Sequence, residues 1–191
     1  MKNLLLAALF ACLSVQGWGA TAAPLVFTKL PEGWKEVEAL ERNGRPPPVP
    51  TKQVVPKDER NAAVLISLLG KGDGRVCDLP SLKALHRFLC RPYLPSPDAP
   101  LTVKELQLAH GQGCAATFED PNLIGKPPIR EDYKFTTVIV LLFADGTVAN
   151  ATVFTDEPRG ATFQEAMQIV EQADLPGITS APAPKTTAES S

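Results

Sequence analysis

The stretch KFTTVIVLLFADGTVANATVFT, residues 134–155, decides the fold. Two runs rich in β-branched and aromatic residues, 134–144 and 147–155, flank Asp145-Gly146. Residues of that kind favour strands, and Asp-Gly suits the two-residue type I′ turn. The stretch therefore predicts a β-hairpin.

Upstream, LTVKELQLA (101–109), the connection HGQG (110–113) and CAATFED (114–120) predict a second hairpin, with a loop over 121–132 leading to the first. NAAVLISLLG (61–70) is a continuous apolar run ended by Gly-Lys-Gly-Asp-Gly, the pattern of a buried strand and a turn. No Gly-Lys-Ser/Thr follows, so these glycines do not form a phosphate loop. Asp78 is placed to cap a helix over LPSLKALHRFLC (79–90), whose Leu82, Leu85, His86 and Leu89 share one face. Arg91 to Pro100 carries four prolines and reads as loop. Downstream, Thr162 and Glu165 fit a capping box for a last helix with Phe163, Ala166, Met167, Val170 and Ala173 turned inward. The expected class is α+β, an antiparallel β-sheet covered by helices.

The front of the chain is less regular. LVFTKLPEGWKEVE (25–38) predicts an opening strand, a turn at Pro31-Glu32-Gly33 and a buried Trp34. NGRPPPVPTKQVVP (43–56) has five prolines and predicts an extended surface loop. Its PPVPTK fits a PxxPxK ligand for SH3 domains, but an exported chain does not meet them, and a plain loop is preferred. In this order of elements, FTKLPEGWKEV (27–37) at the front and an amphipathic helix at the end resemble the PsbP-like sandwich across residues 25–175. That resemblance implies an accessory or binding role, and it brings no catalytic motif to carry over.

Lys2 followed by LLLAALFACLSV (4–15) has the charge and the short apolar core of a secretory signal. Ala20-Thr21-Ala22 is the small-x-small pattern before cleavage, so the mature chain is expected to begin at Ala23. The competing site is a lipoprotein signal ending at Cys12, which would attach the chain to a membrane; Phe10 is bulky for it. The remaining domains are a single α+β unit over 23–177 and a tail over 178–191 whose composition is that of a disordered segment. A periplasmic or secreted location follows. A formal net charge of −2 argues against a nucleic-acid binder, which should show a basic face.

His86 and His110 each stand four positions before a cysteine, Cys90 and Cys114. If strand 61–70 runs upward, Cys77, His110 and Cys114 gather at the top and Cys90 lies at the bottom. That separation opposes a shared tetrahedral metal site. In an oxidising compartment it favours a Cys77–Cys114 disulfide, with Cys90 a buried thiol. The alternative function is a metal or redox accessory protein using Cys77, His86, Cys90, His110 and Cys114.

No GxSxG, HExxH or SxxK signature occurs, and no catalytic residue or cofactor is expected. Acidic pairs Asp58-Glu59, Glu119-Asp120, Glu131-Asp132 and Asp156-Glu157 fall where strands meet loops, at the bottom end in the same scheme. Clustered carboxylates could take Ca²⁺ or a basic partner, while the interleaved Arg60, Lys126, Arg130, Lys134 and Arg159 neutralise much of the rim. The surface expected to bind a partner, a protein or a small ligand, is the bottom loops, the Pro-rich 43–56 segment and 121–132, with Glu119, Asp120, Glu131, Asp132, Asp156 and Glu157 beside them. Asn150-Ala151-Thr152 fits a glycosylation acceptor within a strand.

Overall fold

A computed structural model describes residues 26–27, 30–39, 47–71, 74–127, 129 and 132–175. The signal segment 1–22 with Cys12, the start at Ala23, the tail 178–191 and Glu131 lie outside the described residues. The chain contributes β1 (Val26–Phe27), β2 (Trp34–Val37), β3 (Thr51–Pro56), β4 (Ala62–Lys71), helix α1 (Leu79–Cys90) and β5 (Lys104–Leu108). It continues with β6 (Gly111–Glu119), β7 (Phe135–Phe143), β8 (Thr147–Thr155), helix α2 (Ala161–Glu171) and β9 (Ala173–Asp174).

Seven strands form an antiparallel sheet in the order β2-β3-β4-β8-β7-β6-β5, and β1 pairs with β9 in a small second sheet. The α+β expectation holds at this level. Side chains alternate across a strand, and β7 shows what that alternation covers. Ile139, Leu141 and Phe143 face a core shared with Met167, Ile169 and Val170 of α2. Val138, Val140 and Leu142 face a second core shared with Leu82 and Leu89 of α1. The helices thus lie on opposite faces, which is why the central strands read as unbroken apolar runs. Both sheet edges carry charge, Lys35 and Glu36 on β2 and Lys104 and Glu105 on β5, a pattern that discourages further strand pairing.

Local chemistry accounts for the first helix as expected. Asp78 accepts from Ser81 N at 2.9 Å, and Ser81 supplies the reciprocal bond. The second helix departs from expectation. Its N-cap is Gly160, with no side-chain cap, and Glu165 is not part of a capping box with Thr162. The Glu165 carboxylate is drawn instead to donors on other elements, described below.

Three further expectations are corrected. Residues 51–56 are a strand and not the end of a loop: Thr51 to Val54 register with Ser67 to Val64, and Leu68 N donates to Pro50 O at 2.9 Å. Within 51–56 proline stands only at the last position, so the ladder loses little, and Thr51-Lys52 of the PxxP motif is committed to the sheet. In the second hairpin Leu108 pairs with Gly111, leaving only Ala109-His110 as the turn. The glycines there mark close approach: a Cβ on Gly111 would collide with Leu142 O, and one on Gly113 would stand 3.0 Å from Leu141 Cδ2. In the first hairpin, Gly146 N donates to Phe143 O at 2.9 Å, Gly146 has φ +83°, and the last pair is Leu142–Val148. That connection is wider than the two-residue type I′ turn. Asp145 explains the widening, since its carboxylate accepts from both Thr147 N and Thr147 Oγ1 at 2.9 Å.

Candidate functional site

Register fixes what meets at each end of the sheet. Ala62, Thr155, Phe135 and Glu119 are aligned at the lower end; Lys71, Thr147, Phe143 and Gly111 are aligned at the upper end. The described acidic pairs therefore do gather below, at Asp58-Glu59, Glu119-Asp120, Asp132 and Asp156-Glu157, whereas Pro50-Thr51 of the proline-rich segment enters β3 beside Ser67-Leu68, toward the upper end and away from them.

These carboxylates have different tasks. Asp156 Oδ2 accepts from Asn61 Nδ2 at 3.1 Å, and Asp156 Oδ1 accepts from Lys134 N at 3.4 Å. Asp120 Oδ1 accepts from Asn122 N and Nδ2 at 2.8 Å, closing its own turn. Glu157 folds back over Gly160, the N-cap of α2, where the partial positive charge of a helix start favours a carboxylate. Asp132 is half-buried, its N–H bonded to Ile129 O at 2.9 Å. Glu119 is exposed. Asp120, Asp156 and Glu157 thus shape the loops, and Glu119 faces solvent.

Between these carboxylates lies a feature that sequence patterning missed. Ile124 and Ile129, in the 121–132 loop, are 59% and 49% exposed. The loop is tethered, not loose: Asn61 Nδ2 donates to Ile129 O at 3.1 Å, and Ile129 forms a β-bridge with Asp132. Nearby, Tyr133 packs on Phe154 with ring centroids 5.1 Å apart. The loop therefore holds two large apolar side chains in water against the hydrophobic effect. Burial cannot be read from a loop composition alone, so nothing in PNLIGKPPIRED pointed to them.

A second missed cluster stands beside it. Trp34, only 2% exposed, donates from Nε1 to Glu165 Oε2 at 2.7 Å. Arg60 Nη1 donates to the same oxygen at 2.6 Å, and Arg60 Nε donates to Asp58 Oδ1 and Oδ2 at 2.9 Å. The guanidinium carbon lies 5.6 Å from the Trp34 ring centroid. The hydrogen bond from Trp34, and then the one from Arg60, hold the Glu165 carboxyl below its ordinary range. The Arg60 contact likewise lowers Asp58. Gly33 closes the preceding turn at φ +88°, a conformation that glycine tolerates, and Lys57 N donates to Gly33 O at 2.7 Å. The PEGW turn is thus clamped to the β3–β4 connection and to α2. The buried tryptophan was legible; its partners, 26 and 131 residues away, were not.

The histidines and cysteines are not brought together. His86 is fully buried under α1, with Nε2 3.0 Å from Val138 O and 3.5 Å from Cys90 Sγ. His110 lies in the β5–β6 turn, with Nε2 3.8 Å from Asp174 of β9. Among the described residues no group of three metal-ligating side chains is present, and Cys77, Cys90 and Cys114 are free with no two at disulfide distance. The expected Cys77–Cys114 bond is therefore not formed. The direction of α1 was right, and Cys77 does line the upper end. Cys114, however, lies inside β6 opposite Val140, at the level where Lys83 reaches Glu105. Cys77 stands ahead of the Asp78 cap, while Cys114 lies at the level of the second turn of α1, which keeps the two sulfurs apart. The Cys90–His86 contact is no nucleophile pair either. Burial pushes the Cys90 thiol up to about 12 and the His86 imidazole down, so both ends of a thiol-to-imidazole proton transfer are opposed.

The upper end holds an open cleft of about 400 Å³ lined by Gly74, Val76, Cys77, Gln107, Gln112 and Phe143, among others, and no carboxylate or amine of the described residues lines it. Asn150, 6% exposed in the middle of β8, is closed to a glycosyltransferase in the folded chain. No described helix is long and apolar enough to cross a membrane. No protein-family model matches the chain, and no curated protein matches it.

Proposed function

We propose that this chain is an exported, non-catalytic binding module that docks a partner protein through the lower end of its sheet. The observation that carries this is the exposure of Ile124 and Ile129, both in the 121–132 loop, which follows Glu119-Asp120 and is tied through Ile129 to Asn61 and Asp132. Large apolar side chains held in water at one place are a common mark of a docking surface. A preorganised loop loses less entropy when it docks. The exposed carboxylates at the same end of the sheet, Glu59 and Glu119 among them, steer a partner carrying basic residues around an apolar pocket. The PsbP-like resemblance supports an accessory role, and the signal-like start, with cleavage before Ala23, supports export.

The test is a pull-down from the native envelope with wild type, an Ile124→Ser/Ile129→Ser double variant and a Glu119→Gln variant. The proposal expects one partner to be retained by wild type, lost with the isoleucines and weakened with Glu119→Gln at low salt only. Exposed charges are screened beyond about 8 Å at physiological salt. A partner retained equally by all three chains refutes it. So does one lost only when Cys77 or His110 is changed, an outcome that moves the site to the upper end.

A further inference from the structure

We propose that helix α1 is an acid-released cover over one face of the sheet, with His86 as its trigger. The imidazole is fully buried between α1 and β7. Val138 O is a carbonyl and can only accept, so Nε2 carries the hydrogen and donates to it across 3.0 Å. Nδ1 then holds a lone pair, sealed from solvent and without a hydrogen-bond partner among the described residues. A proton added there creates a buried cation with a donor that reaches nothing.

The described groups around it offer no counter-charge. On α1 itself, Cys90 is the neighbour at 3.5 Å, Arg87 donates to Pro97 O and Ala99 O, and Lys83 is bound to Glu105 of β5 at 2.6 Å. The following turn brings Tyr93, stacked on Phe118 with centroids 5.0 Å apart. From β6 comes Cys114, and from β4, β7 and β8 come Leu69, Val138, Val140, Leu142 and Val148. Burial keeps the Cys90 thiol and the Tyr93 phenol protonated, so neither supplies a negative charge.

Release is local because of how α1 is attached. The helix takes no part in the strand ladder and is held by an apolar stripe and a few side-chain bonds. The sheet keeps its own hydrogen bonds and its packing against α2. The open state binds one more proton than the closed state. Opening therefore becomes about tenfold more favourable per pH unit below the ordinary histidine value of 6.5, down to the depressed value of the closed state. Opening uncovers Ala116, Val138, Val140 and Leu142.

Amide hydrogen exchange of the purified protein from pH 7 to pH 4.5, corrected for intrinsic exchange, tests this. Protection of residues 79–90 is expected to fall about tenfold per pH unit beginning below 6.5, while amides of β7 and β8 hold. His86→Gln keeps a donor for Val138 O and does not titrate, so its helix protection is expected to be independent of pH. Equal loss in both proteins, unchanged protection in wild type, or parallel loss from the sheet overturns the proposal. Should the glutamine variant not fold, imidazole nitrogen shifts of the wild type decide. His86 that titrates at or above 6.5 in the closed protein overturns it, and His86 that stays neutral until the helix opens supports it.

Discussion

Replacing Glu165 by alanine takes one acceptor from two donors at once. The Trp34 indole N–H is buried, and a buried donor left without a partner costs about 1–3 kcal/mol. Arg60 loses less. Its side chain is 30% exposed and keeps both oxygens of Asp58, so the partly exposed ion pair adds at most about 1 kcal/mol. The expected total is roughly 1–4 kcal/mol. For a domain of this size that corresponds to a fall in Tm of about 2–16 °C. Glu165→Gln separates the two contributions, because its amide oxygen still accepts from Trp34 while the charge is gone; its expected cost is about 1 kcal/mol or less. Urea unfolding of wild type and both variants measures the three values. Equal stability of both variants, each within about 0.5 kcal/mol of wild type, would falsify the clamp as a stabilising unit. The sign with pH is also fixed. A carboxyl lowered on folding contributes stability that is present above its unfolded value of 4.5 and is lost as pH falls through the lower folded value. Wild type should therefore lose its advantage over Glu165→Gln in that acid window.

Other outcomes follow from particular contacts. Thiol titration under native conditions should label Cys77 at once, with Cys90 and Cys114 reacting only after unfolding, because the first is exposed and the other two are buried; a native protein without a reactive Cys77 contradicts this. Gly111→Ala should destabilise by roughly 1–3 kcal/mol through its collision with Leu142 O. Gly146→Ala, in open space at φ +83°, should cost about 1–2 kcal/mol from backbone strain alone. Denaturation curves that put Gly111→Ala below about 1 kcal/mol would show that the β6–β7 approach is soft. Leu82→Ala, fully buried beneath α1, should cost about 2–5 kcal/mol. Phe88→Ser, at a position 42% exposed on the same helix, should stay within about 0.5 kcal/mol of wild type by calorimetry.

The sequence by itself determined the elements whose reasons are local. Apolar alternation, Asp78 ahead of an i, i+3, i+4, i+7 stripe, and Asp145-Gly146 between two β-rich runs placed both hairpins and both helices. Strand direction then sent Cys77 and the acidic pairs to opposite ends. Local reasons also misled. Proline density hid the strand at 51–56, because ladder hydrogen bonds depend on which positions carry proline and not on how many the segment holds. Glycines at 111 and 113 read as a turn, although their purpose is to admit a neighbouring strand. Glu165 read as a cap, although Trp34 and Arg60 arrive from distant sequence to take its carboxylate. Only the tertiary structure decided those matters, together with the depth of Cys114 under α1, the sealed Nδ1 of His86 and the exposure of Ile124 and Ile129. Each depends on what lies across a gap of a few ångströms from residues far along the chain, and spacing along a sequence carries no record of that.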